Sequence, residues 1–429
     1  MNIIERGRAF VQGLREVASR SAWDWRRCPR CGDTLTVKNG GRKVHPWTLE
    51  GRRAVRIQRH KCHSCGGSYS ETSAMLVRGS WYARDVHRFA VDHWQHVGSS
   101  LRRTAELARS LLGRQERWLL WRLLGNEPAD RQRCHLSEST VHGWLDTAGI
   151  QARKTVPDQL AGVASSGQLA TDGLWARLKG GKKRVVLALV DCLTGVIFPP
   201  VVVRGEAGEG SWGLLFRRAS LSGLDRDSLR GVASDGATGL VGYLGRVLSW
   251  VNHQRCVFHL WRNLSGEMAS RASEAAEGLA GAAAKAVRRK VRSELVGLVH
   301  GVLDAPSQLE AEKALAKLKA HALGGKLGSI LEEQLDAAMV YLLEFNQGLV
   351  RVSPEWYWRD FRLRLGRGRN HGSGERLERA ALLWAIYRNF TPAQERSERK
   401  RHYRHPGMSP LAVAGAPPGE VSYLDALAV

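Results

Sequence analysis

Two aspartates and a Cys-x-x-His are the residues of this 429-residue chain whose types and spacing suit catalysis. Asp235 follows a short apolar run, Leu229 to Ala233, and precedes a glycine; a helix-like segment, Thr238 to Trp250, then leads to Cys256 and His259. A second Asp-Gly, Asp172-Gly173 in QLATDGLWARL, closes another short β-like run upstream. Aspartates displayed at strand ends are what metal-dependent phosphoryl transfer requires. Magnesium and manganese take carboxylate oxygen, and phosphodiester cleavage uses paired metals roughly 3.5 to 4 Å apart to stabilise the attacking and leaving oxygens. Taken singly, an Asp-Gly is most often a turn whose side chain caps its own backbone. Two of them behind apolar runs in a very basic chain favour catalysis.

The elements needed to bring these carboxylates together lie in the same block. Strand candidates are Gly167 to Leu174, Arg184 to Asp191, Val196 to Val203, Leu229 to Ser234 and Val251 to Val257. A glycine-lysine hairpin at Lys179 to Lys183 and an Asp-Cys-Leu-Thr-Gly turn at Asp191 to Gly195 make the first three an antiparallel meander. The later two alternate with helical segments and should run parallel. The order β-β-β-α-β-α-β fits an α/β, ribonuclease-H-like mixed sheet, whose first and fourth strands are neighbours. Asp172 and Asp235 would then meet although sixty-three positions separate them.

Composition names the substrate class. Lys and Arg number 65 against 41 Asp and Glu, a formal net charge of +24. Such a chain expects a polyanionic partner, bound largely through release of phosphate counterions and therefore sensitive to salt. A generally adhesive or ribosome-bound basic protein is the plainer alternative. No stretch approaches 18 uninterrupted apolar residues: the most hydrophobic, Val185 to Val203, is broken by Asp191 and by Pro199-Pro200. The first twenty residues alternate charged and apolar types and lack a signal-peptide core. The expectation is a chain with no membrane partner, cytoplasmic and associated with the nucleoid. Seven cysteines, four in two tight pairs, suit metal binding in a reducing compartment better than disulfides.

Those pairs are Cys28-Pro-Arg-Cys31 and Cys62-His-Ser-Cys65, with thirty residues between them. Two Cys-x-x-Cys knuckles complete the tetrahedral four-sulfur shell of a structural zinc ion, with His45, His60 and His63 near enough in sequence to replace one sulfur. The intervening Gly-Gly turn and alternating runs such as Ala54 to Gln58 predict a β-hairpin ribbon. Residues 1–80 carry sixteen Lys and Arg against six Asp and Glu. Zinc would fold this small module, 1–78, and leave its basic faces for DNA phosphates; a zinc-stapled protein-protein module is the other reading.

Residues 79–160 read as helical. Ser99 or Ser100 can cap a helix with Leu101, Ala105, Leu107, Ala108 and Leu111 at helical intervals, ending at Gly113. Ser137 or Ser139 can cap a second, carrying Val141, Trp144 and Leu145 before Gly149. As a helix-turn-helix, the pair would send Ser139, Thr140 and His142 toward base edges, with Arg102 and Arg103 on the first helix also facing DNA. The long segment between them also permits two separate helical units or an amphipathic linker. Lone Cys134 and Cys192 read as small buried apolar residues.

The Asp-Gly pair, SDGATGL and QRCVFHLWRNL together resemble the DDE transposases of bacterial insertion sequences, especially the Mutator-like group, over roughly Leu169 to Tyr387. A Cys-x-x-His after the second aspartate is a hallmark of that group, and many insertion-sequence transposases carry an N-terminal zinc ribbon and helix-turn-helix. The resemblance implies a third carboxylate on a helix after an all-helical insertion. Residues 260–365 are rich in Ala, Leu, Lys and Glu at helical periodicity, splitting the catalytic domain into 161–259 and 366–395. RGRNHGSGERLERAALLWAIYRNF then looks like the family's Thr-Thr-Asn-x-x-Glu segment, with Ser373-Gly374-Glu375 in place of Thr-Thr-Asn and Glu378 as the acid. Glu375, three residues away on the same helical face, is the alternative.

The resemblance implies an enzyme that binds the terminal inverted repeats of its own element and works on magnesium or manganese held by Asp172, Asp235 and Glu378. Water cleaves the phosphodiester at the element end, and the freed 3′-hydroxyl attacks target DNA, with no covalent enzyme intermediate. Paired ends imply a homodimer or larger assembly on DNA. Cys256 and His259 are too few for a closed zinc site and are read beside the active site, orienting the Asp235 strand or contacting DNA, with His259 assisting proton transfer. Among fifteen tryptophans, Trp118 and Trp121 read as core, whereas Trp212 and Trp261 are candidates to stack on an unpaired base. The tail, 396–429, is basic and then rich in Pro, Gly and Ala, so flexibility is expected after about Arg404. Two competing readings are a DNA-binding regulator with an inactive nuclease fold and a junction or repair nuclease of the same fold.

Overall fold

The computed structural model describes residues 26–49, 51–71, 73–114, 136–343, 349, 351, 355–364, 371–392, 407–415 and 422–427. Trp118, Trp121, Cys134, the N-terminal stretch and the basic run at 397–405 lie outside them. About half of the described residues are helical, and the architecture is mixed α/β. The chain divides into two units: Met1–Gly162 with Asp360–Phe390 and Ala416–Val429, and Val163–Arg359 with Thr391–Gly415.

The first unit begins with a ribbon. Strand β1 (Thr36–Val44) pairs antiparallel with β4 (Val55–Cys62), which pairs with β5 (Ser68–Ser70). A register slip between Lys38 and Gly41 absorbs Gly40, whose φ of 69 suits glycine alone. Between the long strands, β2 (Trp47–Thr48) and β3 (Gly51–Arg52) form a small hairpin. Trp47 packs there with Val86 of α1 (Arg84–Val97) and Leu112 of α2 (Leu101–Arg114). Helix α3 (Glu138–Leu160) completes this layer, and Trp144 packs against the same cluster.

Caps settle two choices that the sequence leaves open. The Arg103 N–H donates to Ser100 Oγ at 3.2 Å, and the Thr140 N–H donates to Ser137 Oγ at 3.2 Å. Each satisfies an otherwise orphaned helix donor. Gly149 does not end its helix as expected: α3 runs on to Leu160. Gly149 is instead where a later helix crosses, because a Cβ there would lie 2.6 Å from Arg379 Cβ.

The end of the chain is also ordered where it is described, contrary to the expected loose tail. Ser422 and Asp425 make a capping box at Tyr423–Ala426. Tyr423, Leu424 and Leu427 are buried, the Tyr423 hydroxyl donates to Asp92 at 2.8 Å, and Arg88 pairs with Asp425 at 2.6 Å. Apolar side chains in this short Pro- and Gly-flanked segment are enough to dock it.

The second unit is built on a five-stranded sheet of β6 (Gln168–Arg177), β7 (Lys183–Asp191), β8 (Val201–Val203), β9 (Gly231–Ser234) and β10 (Asn252–Arg255) in the order β10-β9-β6-β7-β8. β6, β7 and β8 form the expected antiparallel meander, and β9 runs parallel to both β6 and β10. β8 is shorter than expected because Pro199 and Pro200 lack the N–H that a ladder needs; only a bridge between Val190 and Ile197 precedes it. Helices α4 (Glu209–Leu221) and α5 (Thr238–Val247) supply Trp212, Phe216 and Leu240 to a core shared with Leu187, Leu189 and Val232 of the sheet.

After β10 come α6 (Val257–Glu274), α7 (Gly281–Leu303), α8 (Gln308–Ala320), α9 (Gly325–Glu332) and α10 (Leu335–Met339), packed around Leu264, Met268, Leu295, Val299, Leu318 and Leu327. Helices fill this stretch as the periodicity predicts, starting three residues earlier than 260. Helices α11 (Glu355–Arg364) and α12 (Gly374–Phe390) follow. No helix among the described residues is long and apolar enough to cross a membrane.

Candidate functional site

The first site is the cysteine quartet. Gly32 and Gly66, at φ of 77 and 67, close two knuckles in which the Gly32 N–H donates to the Cys28 carbonyl at 2.8 Å and the Gly66 N–H to the Cys62 carbonyl at 3.1 Å. The ribbon register sets Cys62 opposite Thr36, so the two knuckles close on each other. The ligand atoms of Cys28, Cys31, Cys62 and Cys65 lie within 4.8 Å of one another, with Cys28 and Cys65 at 3.5 Å and Cys31 and Cys62 at 3.6 Å. Sulfurs held tetrahedrally at ~2.3 Å from a zinc ion stand ~3.8 Å apart, so the four are close enough to bind a metal and are consistent with structural zinc.

Their acidities diverge for physical reasons. Burial resists ionisation of Cys28, but the Arg30 and Cys31 N–H groups and neighbouring thiols outweigh it and hold its pKa down to about 7. Cys31 is eased by the Asp33 N–H, yet desolvation and three adjacent sulfurs push its thiol up to about 12. A bound cation would favour the thiolate at both. His60 is not needed as a ligand: it is buried and engages Glu71 at 3.1 Å.

The second site lies on the sheet of the other unit. Asp172 is not at a strand end but mid-way along β6, and only 4% exposed. Beyond it β6 continues as the outer arm of the hairpin with β7, paired to Arg177–Lys183. On its other side the parallel ladder with β9 ends by pairing Ala170 with Ala233, and Asp172 and Asp235 each lie two residues beyond that pair. Asp235 sits in the bend after β9, where its Oδ1 accepts from the Ala237 N–H at 3.1 Å.

That bend is fixed from several directions. Ser234 Oγ accepts from the Gly236 N–H at 3.0 Å and is hydrogen-bonded to His253 Nε2 at 2.8 Å. The Cys256 N–H donates to the Ser234 carbonyl at 2.6 Å. Burial, reinforced by the Arg255 charge and opposed by Asp235, lowers the His253 pKa to about 4. The Arg255 guanidinium packs against Gly236, whose φ of 81 places it there. Cys256 is buried as the N-cap of α6, and His259 is buried one turn later. The Cys256 backbone thus ties the start of α6 to the Asp235 bend, and neither side chain joins a cluster of three or more metal-ligating residues among the described residues.

Sequence reasoning missed Glu206. It lies between β8 and α4, and its carboxylate rests on Gly173 so closely that a Cβ there would overlap it. Trp175 Nε1 donates to Glu206 Oε1 at 2.9 Å, and Trp212 Nε1 donates to the Glu206 carbonyl at 2.8 Å. Burial, and then the charge of Asp235, raise the Glu206 pKa against the Trp175 hydrogen bond. Glu206 thus lies near Asp235 and on the Gly173–Trp175 face of β6, whereas Asp172, one residue before Gly173, alternates to the other face of the strand. The available signal was a glutamate three residues past a strand, flanked by glycine and followed by a buried tryptophan.

No family model matches this chain, and no curated protein matches it either.

The remaining candidates are placed as follows. Glu375 and Glu378 lie on α12, which packs on α3 within the first unit. Glu375 pairs with Arg379 at 2.5 Å, and Arg379 also holds Asp146 at 2.9 Å; Glu378 is half-buried. Ser139 is exposed at the start of α3, while the Thr140 hydroxyl is tied to the Ser137 cap at 2.9 Å and His142 is half-buried. Arg102 and Arg103 are exposed on α2, with Arg102 paired to Glu106 at 2.9 Å. Trp212 is fully buried and Trp261 packs against the insertion core, so neither offers a free stacking face. Trp175 is 52% exposed and does. Cys192 is half-buried.

Proposed function

We propose that this chain is a DNA transposase of the DDE type, cleaving at the ends of its own element and joining the freed 3′-hydroxyl to target DNA. The observation that carries the reading is the parallel β6–β9 ladder, whose last pair, Ala170 and Ala233, precedes Asp172 and Asp235 by two residues on each side, with Glu206 near Asp235. Supporting it are the strand order β10-β9-β6-β7-β8, the order of a ribonuclease-H-like sheet, and a chain whose +24 charge suits DNA. A cysteine quartet suited to zinc next to a helical layer supports the assignment of sequence recognition to the first unit.

Carboxylate oxygens are the donor class that magnesium and manganese take, so Asp172 and Asp235 fit that role. Bound there, the metals would activate water and stabilise a leaving oxygen. Asp235 is presented by a turn locked through Ser234, His253 and Cys256, and Asp172 by a buried strand, where its Oδ1 accepts from the Gly173 N–H at 2.8 Å. Glu206 adds a carboxylate from the same unit, and Glu378 is the one that the resemblance supplies. The protein is tested by incubating it with labelled duplex carrying the ends of its own element, with and without magnesium. Magnesium-dependent strand cleavage at those ends is expected; tight binding without cleavage under any divalent metal would favour the regulator reading.

A further inference from the structure

Several charges of the helical insertion are paired, but the densest run of cations is not. Glu267 is bound by Arg271 at 2.8 Å and by Lys326 at 2.9 Å, Glu310 by Lys313 at 2.8 Å, Glu332 by Lys319 at 2.6 Å and Asp304 by Arg351 at 2.8 Å. On α7, in contrast, Lys285, Arg288, Arg289, Lys290 and Arg292 are all exposed, and among the described residues none of the five forms an ion pair. No Asp or Glu occurs from Leu279 through Ser293. An ordinary solvated helix face carries interspersed signs, as α8 and α9 do; five uncompensated cations within eight residues repel one another and stay together at a cost.

The spacing gives the patch a direction. Lys285, Arg288, Arg289 and Arg292 recur three, one and three apart, which places them along one stripe of the helix. Exposed Ala282, Ala283 and Ala286 around the start of the stripe offer no bulk to hold a partner's backbone away. From Lys285 to Arg292 the helix rises ~10 Å, a length over which a DNA duplex presents ~6 phosphate charges.

We infer that this face of α7 docks a DNA duplex through its phosphates, independent of sequence and separate from the zinc-ribbon unit. The inference rests on the reading of the chain as a DNA enzyme. The face offers long cationic side chains on an exposed helix among alanines, which suits the charged backbone of a duplex.

The test uses full-length protein in which Lys285, Arg288, Arg289 and Arg292 are all changed to Gln, titrated with a duplex lacking element ends across a salt series. Wild type is expected to bind with a steep salt dependence, and the variant to bind at least tenfold more weakly at low salt. Its log-log slope should be shallower by about 3 to 4, with an unchanged melting temperature because all four side chains are exposed. A companion with the three arginines changed to Lys keeps the charge and should keep the wild-type slope, which separates lost charge from a disturbed helix. Wild-type binding with an unchanged slope in the Gln variant would overturn the α7 assignment alone. Failure of wild type to bind duplex even at low salt would overturn the DNA reading with it. Loss of poly-glutamate binding with duplex binding intact would assign the face to an acidic protein and overturn the inference.

Discussion

Asp172 and Asp235 each lie two residues beyond the end of the parallel β6–β9 ladder, which pairs residues sixty-three apart and closes with Ala170 facing Ala233. That offset is the separation of the two aspartates themselves. A slip of one residue would turn one of the two carboxylates to the opposite face of the sheet. The pairing is protected by burial on both faces: Leu169, Val232 and Ala233 are completely enclosed. The packing of the core thereby sets the geometry of the acidic site.

Gly173 is the position at which this site is most sensitive to a single atom. A methyl group there overlaps the Glu206 carboxylate and displaces it from its hydrogen bond to Trp175. Gly173→Ala is expected to lower DNA cleavage at least tenfold while costing about 1 to 3 kcal/mol of stability, measured by urea unfolding. Glu206→Gln should lower cleavage without that stability loss. Unchanged cleavage in both variants would remove Glu206 from the site.

The cysteine quartet predicts one tightly held metal ion per chain. Purified protein should carry about one zinc equivalent, and Cys28→Ser or Cys62→Ser should lose it, because a structural zinc shell is four-coordinate. Chelation should expose residues 26–71 to protease while the sheet of the second unit stays resistant, since each unit has its own core. Full protease resistance after metal removal would contradict a structural role.

Two glycines on one helix should respond in opposite ways. Gly149 is the crossing point for α12, so Gly149→Ala forces Arg379 away and should destabilise by about 1 to 3 kcal/mol. Gly143, with nothing near a new Cβ, gains helix propensity on change to Ala and should be stabilised by about 0.5 to 1 kcal/mol. Thermal unfolding of the two variants checks both signs.

Acid should weaken both units over a defined range. Burial, with the Arg84 charge, lowers His87 to about 4, and burial with Arg255 lowers His253 equally; both have ordinary values of 6.5. Between pH 6.5 and about 4 the unfolded chain binds protons that the folded chain refuses. Stability is therefore full above pH 6.5 and falls as pH drops toward 4, by up to ~1.4 kcal/mol per pH unit for each histidine. Urea unfolding at pH 7 and pH 5 should show a smaller acid loss in His87→Gln than in wild type.

Much of the fold was legible because its signals are local. The apolar runs, the Lys-Gly turn at 179–183 and the Asp191 turn mark the meander, and the two Cys-x-x-Cys pairs mark the quartet. What was not legible depends on contacts between distant segments. Gly149 reads as a helix stop until α12 is seen to need its missing side chain, and the end of the chain reads as loose until Tyr423 is seen against Asp92. Glu206 sits in a glycine-rich connection with no periodicity, and only the folding of β8 onto β7 brings that connection to Gly173. Trp212 and Trp175 differ in exposure although both are single tryptophans among polar and small neighbours; strand alternation and helix facing decide which is buried.

The central claim is that Asp172 and Asp235 together hold the metals for DNA cleavage. The most direct measurement compares wild type, Asp172→Asn and Asp235→Asn on labelled duplex carrying the element ends, reading binding and magnesium-dependent cleavage from the same samples. Each variant should bind the ends as wild type does and lose cleavage at least a thousandfold, since one oxygen of each carboxylate becomes a neutral amide that no longer ligates. Cleavage retained by either variant, or absent from wild type in both magnesium and manganese, would contradict the account.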